Sequence, residues 1–214
     1  MERTVIENFR DKRAAKTVSA LKRNNMDAYY VHTSKEAKDL VESLLVPGSI
    51  VTSGGSVTLA ETGIEGLLKS GKYEFLDRAR PGITPEESHA VMRQAFNADA
   101  YVIGANAVTE EGELFYIDGN GNRVAAVTYG PKNVIVIVGQ NKITENALEA
   151  RKRTKRIAAP ANANRIKAHT PCVETGYCMD CKVPDRICGT ELLVSYQRIS
   201  NRIKVIIVDE ILGF

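Results

Sequence analysis

Apolar residues in the first segment fall at Val5, Ile6, Phe9, Ala14, Val18 and Leu21. This three-to-four spacing predicts an amphipathic helix over residues 2–24. Asp27–Val31 reads as a short strand, and Thr33 or Ser34 can cap a helix reaching about Leu45. Pro47-Gly48 marks a turn before a strand at 49–52, and residues 56–69 read as a helix stopped by Ser70-Gly71. A strand at 73–76 follows, then a helix capped by Thr84 that ends near Phe96, then strands at 100–103 and 114–117. The second of these runs into an Asp118-Gly119-Asn120-Gly121 turn. Residues 134–138 form an unbroken β-branched run, which predicts a central strand buried on both faces. Thr144 is expected to open a long helix to about Ile157.

Strands alternating with helices imply an α/β fold with a Rossmann-like, doubly wound and mostly parallel sheet. After Pro160 the pattern breaks into a Cys-rich C-terminal loop rich in Pro, Asn and Gly, and two last strands are expected at 192–199 and 203–208. No internal repeat or linker is visible. The length of 214 residues fits one domain, 1–214, with a core large enough to need no disulfides.

Charge narrows the function classes. Basic residues number 29 and acidic 26, a net charge of +3, too small to argue for nucleic acid. The longest neutral apolar run, 134–139, is far short of a membrane span. The N-terminal residues lack the apolar core of a signal peptide, so a cytoplasmic protein with reduced thiols is expected. The basic run 151–156 falls at the end of a predicted helix, where cations suit the dipole, and reads as a solvated face. His32 and His89 stand alone and read as structural or incidental.

The first candidate site is Ser53-Gly54-Gly55-Ser56-Val57-Thr58, between a strand and a helix. Glycines let backbone approach a ligand, free N–H groups at a helix start favour an anion, and the hydroxyls of Ser53, Ser56 and Thr58 add hydrogen bonds. No Lys follows the glycines, so this is not a nucleotide P-loop, and the spacing misses the dinucleotide fingerprint. The blander reading is a tight turn with a Ser cap. A second stretch, 104–112 with 118–123, is expected near the same rim. It offers the carboxylates Glu110, Glu111 and Asp118, the amides Asn106, Asn120 and Asn122, and the guanidinium Arg123. A carboxylate there can act as nucleophile or base, and Arg123 can grip an anion bidentately. The same residues also make good hairpin turns. Arg165 and Lys142 are further candidates to reach an anion.

Residues 54–63 (GGSVTLAETG), 104–112 (GANAVTEEG), 118–126 (DGNGNRVAA), 130–139 (GPKNVIVIVG) and 159–165 (APANANR) together resemble the lactate-utilisation (LUD) domain family, over about residues 15 to 190. That family is related to a fold group of coenzyme A transferases, ribose-5-phosphate isomerase and glucosamine-6-phosphate deaminase. The resemblance implies a CoA transferase-like α/β fold with a small-molecule site. It also implies a role in lactate or organic-acid oxidation, in multi-subunit systems with iron–sulfur partners. It sets Glu110, in Thr-Glu-Glu-Gly-Glu-Leu (109–114), at the position of the transferases' catalytic Glu, although Glu111 replaces the Asn of their Glu-Asn-Gly motif. Two alternatives stand beside the lactate-utilisation enzyme or subunit. One is a non-catalytic electron-transfer or assembly subunit, and the other is an acyl-CoA transferase working through Glu110. Expected partners are a small anionic ligand, iron–sulfur protein subunits and a second copy of the chain, without nucleic acid or a membrane span.

Four cysteines, Cys172, Cys178, Cys181 and Cys188, crowd into 17 positions of a chain with no export signal, which favours a metal over a disulfide framework. A Cys-x2-Cys pair can chelate one ion, and two further thiolates complete a set of four. Zinc and an iron–sulfur cluster both accept such a set, and the spacing alone does not choose between them. The family resemblance, pointing to redox metabolism, favours iron–sulfur. Nearby His169 can replace one Cys. The competing reading is a redox pair, Cys178 and Cys181, with two inert thiols.

Overall fold

A computed structural model describes residues 4–214. The first helix, α1 (Val5–Arg23), opens on a capping box in which Thr4 Oγ1 accepts from the Glu7 N–H and the Glu7 carboxylate accepts from the Thr4 N–H. Positions 2 and 3 of the expected helix lie outside the described residues.

The main sheet holds six strands: β1 (Asp27–Val31), β2 (Ile50–Ser53), β3 (Glu74–Leu76), β4 (Ala100–Gly104), β7 (Asn133–Gly139) and β10 (Ile203–Val208). All pair in parallel, in the order β1-β10-β7-β4-β2-β3. This is the α/β, parallel architecture that the pattern predicts. The run in β7 is central and buried on both faces: Val134, Val136 and Val138 face one apolar cluster, while Ile135 and Ile137 face the other. Complete burial of each such side chain is worth about 1.5–3 kcal/mol, so β7 anchors both layers. On the second face pack α2 (Ser34–Leu44), α3 (Val57–Glu61) and α4 (Ile64–Leu68).

The first face carries α1, α6 (Asn122–Tyr129) and a second, four-stranded sheet. Its strands are β5 (Ala107–Thr109), β6 (Leu114–Asp118), β8 (Ile143–Thr144) and β9 (Thr190–Val194), in the order β8-β5-β6-β9. The expected strand at 114–117 therefore belongs to a β5–β6 hairpin, not to the parallel sheet. The expected strand at 192–199 is β9, which ends at Val194 and pairs antiparallel with β6.

Three boundaries move for identifiable reasons. The expected helix 56–69 splits at Gly63, which sits at φ +69° between α3 and α4. Thr144 lies in β8, and Asn146 caps the next helix, α7 (Ala147–Arg153), through the Glu149 N–H. Helix also continues past Pro160. A π-helical turn at Thr154–Ala158 shifts the hydrogen-bond register, so Pro160 falls in the first turn of α8 (Ala159–Arg165), where no partner for its missing N–H is needed. The remaining helices are α5 (Pro85–Gln94), capped by Thr84, and α9 (Pro171–Thr175). No helix among the described residues is long and apolar enough to cross a membrane.

Candidate functional site

The chain leaves β2 toward β3 on one side of the sheet and leaves β4 toward β7 on the other. At such a divergence the loops after the strands part and leave a crevice at the carboxyl ends, where open α/β sheets place ligands. The loop 54–56 after β2 and the stretch 104–106 after β4 both lie here. Gly54 packs flat on β4: a Cβ on it would stand 2.7 Å from the Tyr101 hydroxyl and 2.9 Å from Ile103. A Cβ on Gly104 would stand 2.6 Å from Ser56 Oγ. The two loops meet only because both positions lack a side chain.

The crevice is one connected cleft. Its inner part is lined by Gly55, Ser56, Thr58, Asn106, Arg123, Lys142, Asn162 and Arg165. Gly55, Arg123, Asn162 and Arg165 also line its outer part, with Arg78, Asp118, Asn120 and Arg186. Lys142, buried in the floor, donates to Thr58 Oγ1 at 2.9 Å. Burial pushes its pKa down to about 8, Arg153 pushes the same way and Glu61 opposes them. The Arg123 Nε donates to Asp118 at 2.9 Å and its Nη2 to the Ile117 carbonyl at 2.6 Å, while its backbone N–H caps the other Asp118 oxygen at 3.0 Å. Asn106 Oδ1 accepts from the Ile117 N–H, and its carbonyl accepts from Arg153. Arg165 is held by Asn162 Oδ1, and neither Arg165 nor Arg78 has a carboxylate partner among the described residues. The cleft thus presents a surplus of positive charge around a hydroxyl- and amide-rich floor.

Of the residues singled out in the sequence, the structure brings Gly55, Ser56, Thr58, Asn106, Asp118, Asn120, Asn122 and Arg123 to this cleft, with Lys142 and Arg165. Gly54 shapes it from behind, and Ser53 ends β2 in register with Val102. Glu110 lies elsewhere. Its carboxylate accepts from Arg13 Nε and Lys16 Nζ, both at 2.7 Å. Burial opposes ionisation there, but the two cations outweigh it and hold the carboxyl below its ordinary value. The turn that carries it docks on α1, where Asn24 donates to the Glu111 and Gly112 carbonyls. Gly112, at φ +84°, has no room for a Cβ against Ala20 and Leu21.

Sequence reasoning missed Arg78 and Arg186. Arg78 sits in no motif, Arg186 lies inside the cysteine stretch that points to a metal, and only the tertiary fold turns both into the cleft. The basic run is in part the solvated face expected, with Arg151, Lys152 and Arg156 exposed, but most of its charges are engaged. Arg151 pairs with Glu191, Lys152 with Glu149 and Lys155 with Asp180, while Arg153 turns inward to brace Asn106 and Asn141. At the far end of the same rim, His32 after β1 and Asp209 after β10 come together with Asp11 of α1, their ligand atoms within 4.8 Å of one another.

The four cysteines line a second cavity that shares Arg186 and Ile187 with the cleft. All four are free and half-buried. Four thiols around one space have the donor chemistry of a tetrathiolate site. His169 faces away from it, 94% exposed and paired with Asp185 at 3.0 Å.

The family model of the LUD domain matches residues 14–208. None of the curated proteins matches the chain in sequence. Among solved structures, a DUF162 family protein from Deinococcus radiodurans is similar over 93% of this chain and 98% of that one, at 15% identity and a TM-score of 0.49. A 5-methylthioribose 1-phosphate isomerase from Pyrococcus horikoshii is similar over 87% of this chain and 53% of its own, at 15% identity and a TM-score of 0.34. The eIF2B beta protein of Chaetomium thermophilum covers 54% and is itself covered over 44%, at 18% identity and a TM-score of 0.36. With the family model running from α1 to the end of β10, the chain belongs to the LUD domain family, the lactate-utilisation type of α/β protein.

Proposed function

We propose that this chain binds a small organic anion of the lactate and pyruvate class in the cleft at the β2–β4 divergence, and serves organic-acid oxidation as an enzyme or a ligand-binding subunit. The observation that carries this reading is the pair Arg78 and Arg165, two guanidinium groups at one cleft without carboxylate partners among the described residues. Unpaired arginines beside a cleft attract carboxylates and phosphates, and their planar forks give bidentate geometry. Arg123 and Lys142 add positive charge, and the hydroxyls of Ser56 and Thr58 with the Asn106 amide supply polar contacts for a hydroxyl or carbonyl group. Partner subunits carrying iron–sulfur centres and a cytoplasmic setting, where thiols stay reduced, are part of the same proposal.

An acyl-CoA transferase working through Glu110 gains less support, because its carboxylate is engaged by Arg13 and Lys16 and does not line the cleft. Isothermal titration with lactate, pyruvate and inorganic phosphate tests the reading. At least one anion should bind with a heat that Arg165→Ala and Arg78→Ala each weaken by roughly tenfold, about 1.4 kcal/mol. No heat from any of them, or heats unchanged in both variants, would overturn it.

A further inference from the structure

Cys172 comes from the first turn of α9 and Cys178, Cys181 and Cys188 from the chain after it, yet all four face one cavity. Its other walls include the apolar Ala159, Pro160, Met179 and Ile187, and the four sulfurs are half-buried among them. The fold builds this enclosure: α8 supplies Ala159 and Pro160 only because the π-helical turn before it lets the helix continue past Pro160. No three of the four sulfurs lie within 4.8 Å of one another. A zinc ion bonded at about 2.3 Å to four thiolates would hold every pair about 3.8 Å apart. The sulfurs are thus not gathered as one zinc ion would hold them, while four thiols around one space are the donor set a [4Fe–4S] cluster takes.

The surroundings fit the charge of such a cluster. Four thiolates outweigh the positive charge of a cubane iron–sulfide core, so the assembly is anionic and needs donors and cations near it. Thr170 Oγ1 lies 3.3 Å from the Cys172 sulfur. Arg186 donates to the Cys181 carbonyl at 2.5 Å and the Cys188 carbonyl at 3.3 Å, and its third contact, Asp180, is 2.9 Å away. Arg186 is also part of the wall of the anion cleft. One guanidinium therefore touches both spaces.

We propose that Cys172, Cys178, Cys181 and Cys188 hold a [4Fe–4S] cluster rather than zinc, and that Arg186 links it to the anion cleft, so that an anion bound there lowers the cluster's reduction potential. The direction follows from charge. An anion beside Arg186 offsets the positive charge that compensates the cluster, and the reduced state, with one more negative charge, loses the most. The link rests on the anion-cleft reading, whereas the cluster assignment does not.

The test uses the full chain purified without air. Iron, acid-labile sulfide and zinc are counted, and the midpoint potential is measured with and without inorganic phosphate, in the wild type and in Arg186→Gln. About four irons and four sulfides per chain are expected, with the iron retained in His169→Ala and largely lost in Cys188→Ser. Phosphate should lower the wild-type potential and leave that of Arg186→Gln nearly unchanged. One tightly held zinc and no iron, even after anaerobic reconstitution with iron and sulfide, would overturn the cluster. A cluster whose potential ignores phosphate, at a concentration that titration shows to fill the cleft, would overturn the link. Failure of phosphate to bind at all would also end the link and would count against the cleft, while the iron count would still decide the cluster.

Discussion

Lys142 Nζ donates to Thr58 Oγ1 across 2.9 Å, joining residues 84 positions apart in the buried floor of the cleft. The contact ties the turn after β7 to the helix after the glycine-rich loop, and it buries an amine whose pKa falls to about 8. Two consequences follow for pH. The unfolded chain keeps this lysine protonated up to its ordinary value, so between about pH 8 and 10.5 the unfolded state holds more protons than the folded one. Stability therefore rises with pH across that window, and the penalty is fully present below about pH 8, at roughly 3 kcal/mol. Lys142→Met should raise the melting temperature at pH 7 and flatten its pH dependence between 8 and 10. A lower melting temperature with an unchanged pH profile would contradict the burial argument. Anion binding has the opposite slope, because the protonated amine attracts the ligand: affinity should fall as pH rises through about 8.

The glycines of the cleft separate packing from binding. Gly54→Ala forces a methyl against the Tyr101 hydroxyl and Ile103 in the sheet, and should cost about 1–3 kcal/mol in denaturant unfolding. In Gly55→Ala the methyl meets only the mobile tip of Arg78, which can swing away. That variant should fold nearly as well as wild type yet bind anions several-fold more weakly. Equal stability losses in the two variants would argue against this geometry.

Asp118 holds Arg123 by two hydrogen bonds in a half-buried setting and so limits the charge that Arg123 offers a ligand. Asp118→Asn should lower stability by about 1–3 kcal/mol, since a partly buried guanidinium loses its counter-charge. The same change should tighten phosphate binding in a titration. Weaker binding would mean that Asp118 holds Arg123 in the orientation the ligand needs and does not compete for it.

Glu110→Gln probes the site from outside. Loss of the ion pairs to Arg13 and Lys16 should cost about 0.5–1 kcal/mol at neutral pH. The carboxyl is held below its ordinary value, so this contribution is present above that value and disappears as the carboxylate takes up its proton in acid. Anion affinity should be unchanged. A large fall in affinity, or trapping of a thioester on the wild-type Glu110, would restore it to the ligand site.

What was legible in the sequence was what depends on local pattern. The β-branched run 134–138 fixed the central strand, and Thr84 and Thr33 marked helix starts because capping is local chemistry. The glycine-rich loop was legible as a close approach of backbone, and the Gly54 and Gly104 contacts show what it approaches. Residues 114–118 were harder: a short apolar run reads alike in a parallel strand or a hairpin, and only pairing with β5 and β9 decides. Helix α6 was hidden behind a turn signal that is also its entry. Glu110 stood in a motif shared by turns, and the collision a Cβ on Gly112 would meet against α1, which orients that turn, is a tertiary fact. Arg78 carries no local signal, and the cysteines around Arg186 point to a metal and not to the cleft, since an arginine's sequence neighbours do not tell which cleft it will face.

The proposed anion site lies among Arg78, Arg123 and Arg165. The most direct measurement is a crystal structure of the full chain soaked with selenate, located by its anomalous scattering. A peak is expected within hydrogen-bonding reach of these guanidinium groups, beside Gly55 and Ser56. Strong peaks elsewhere on the molecule, with none in a cleft open to solvent, would contradict it.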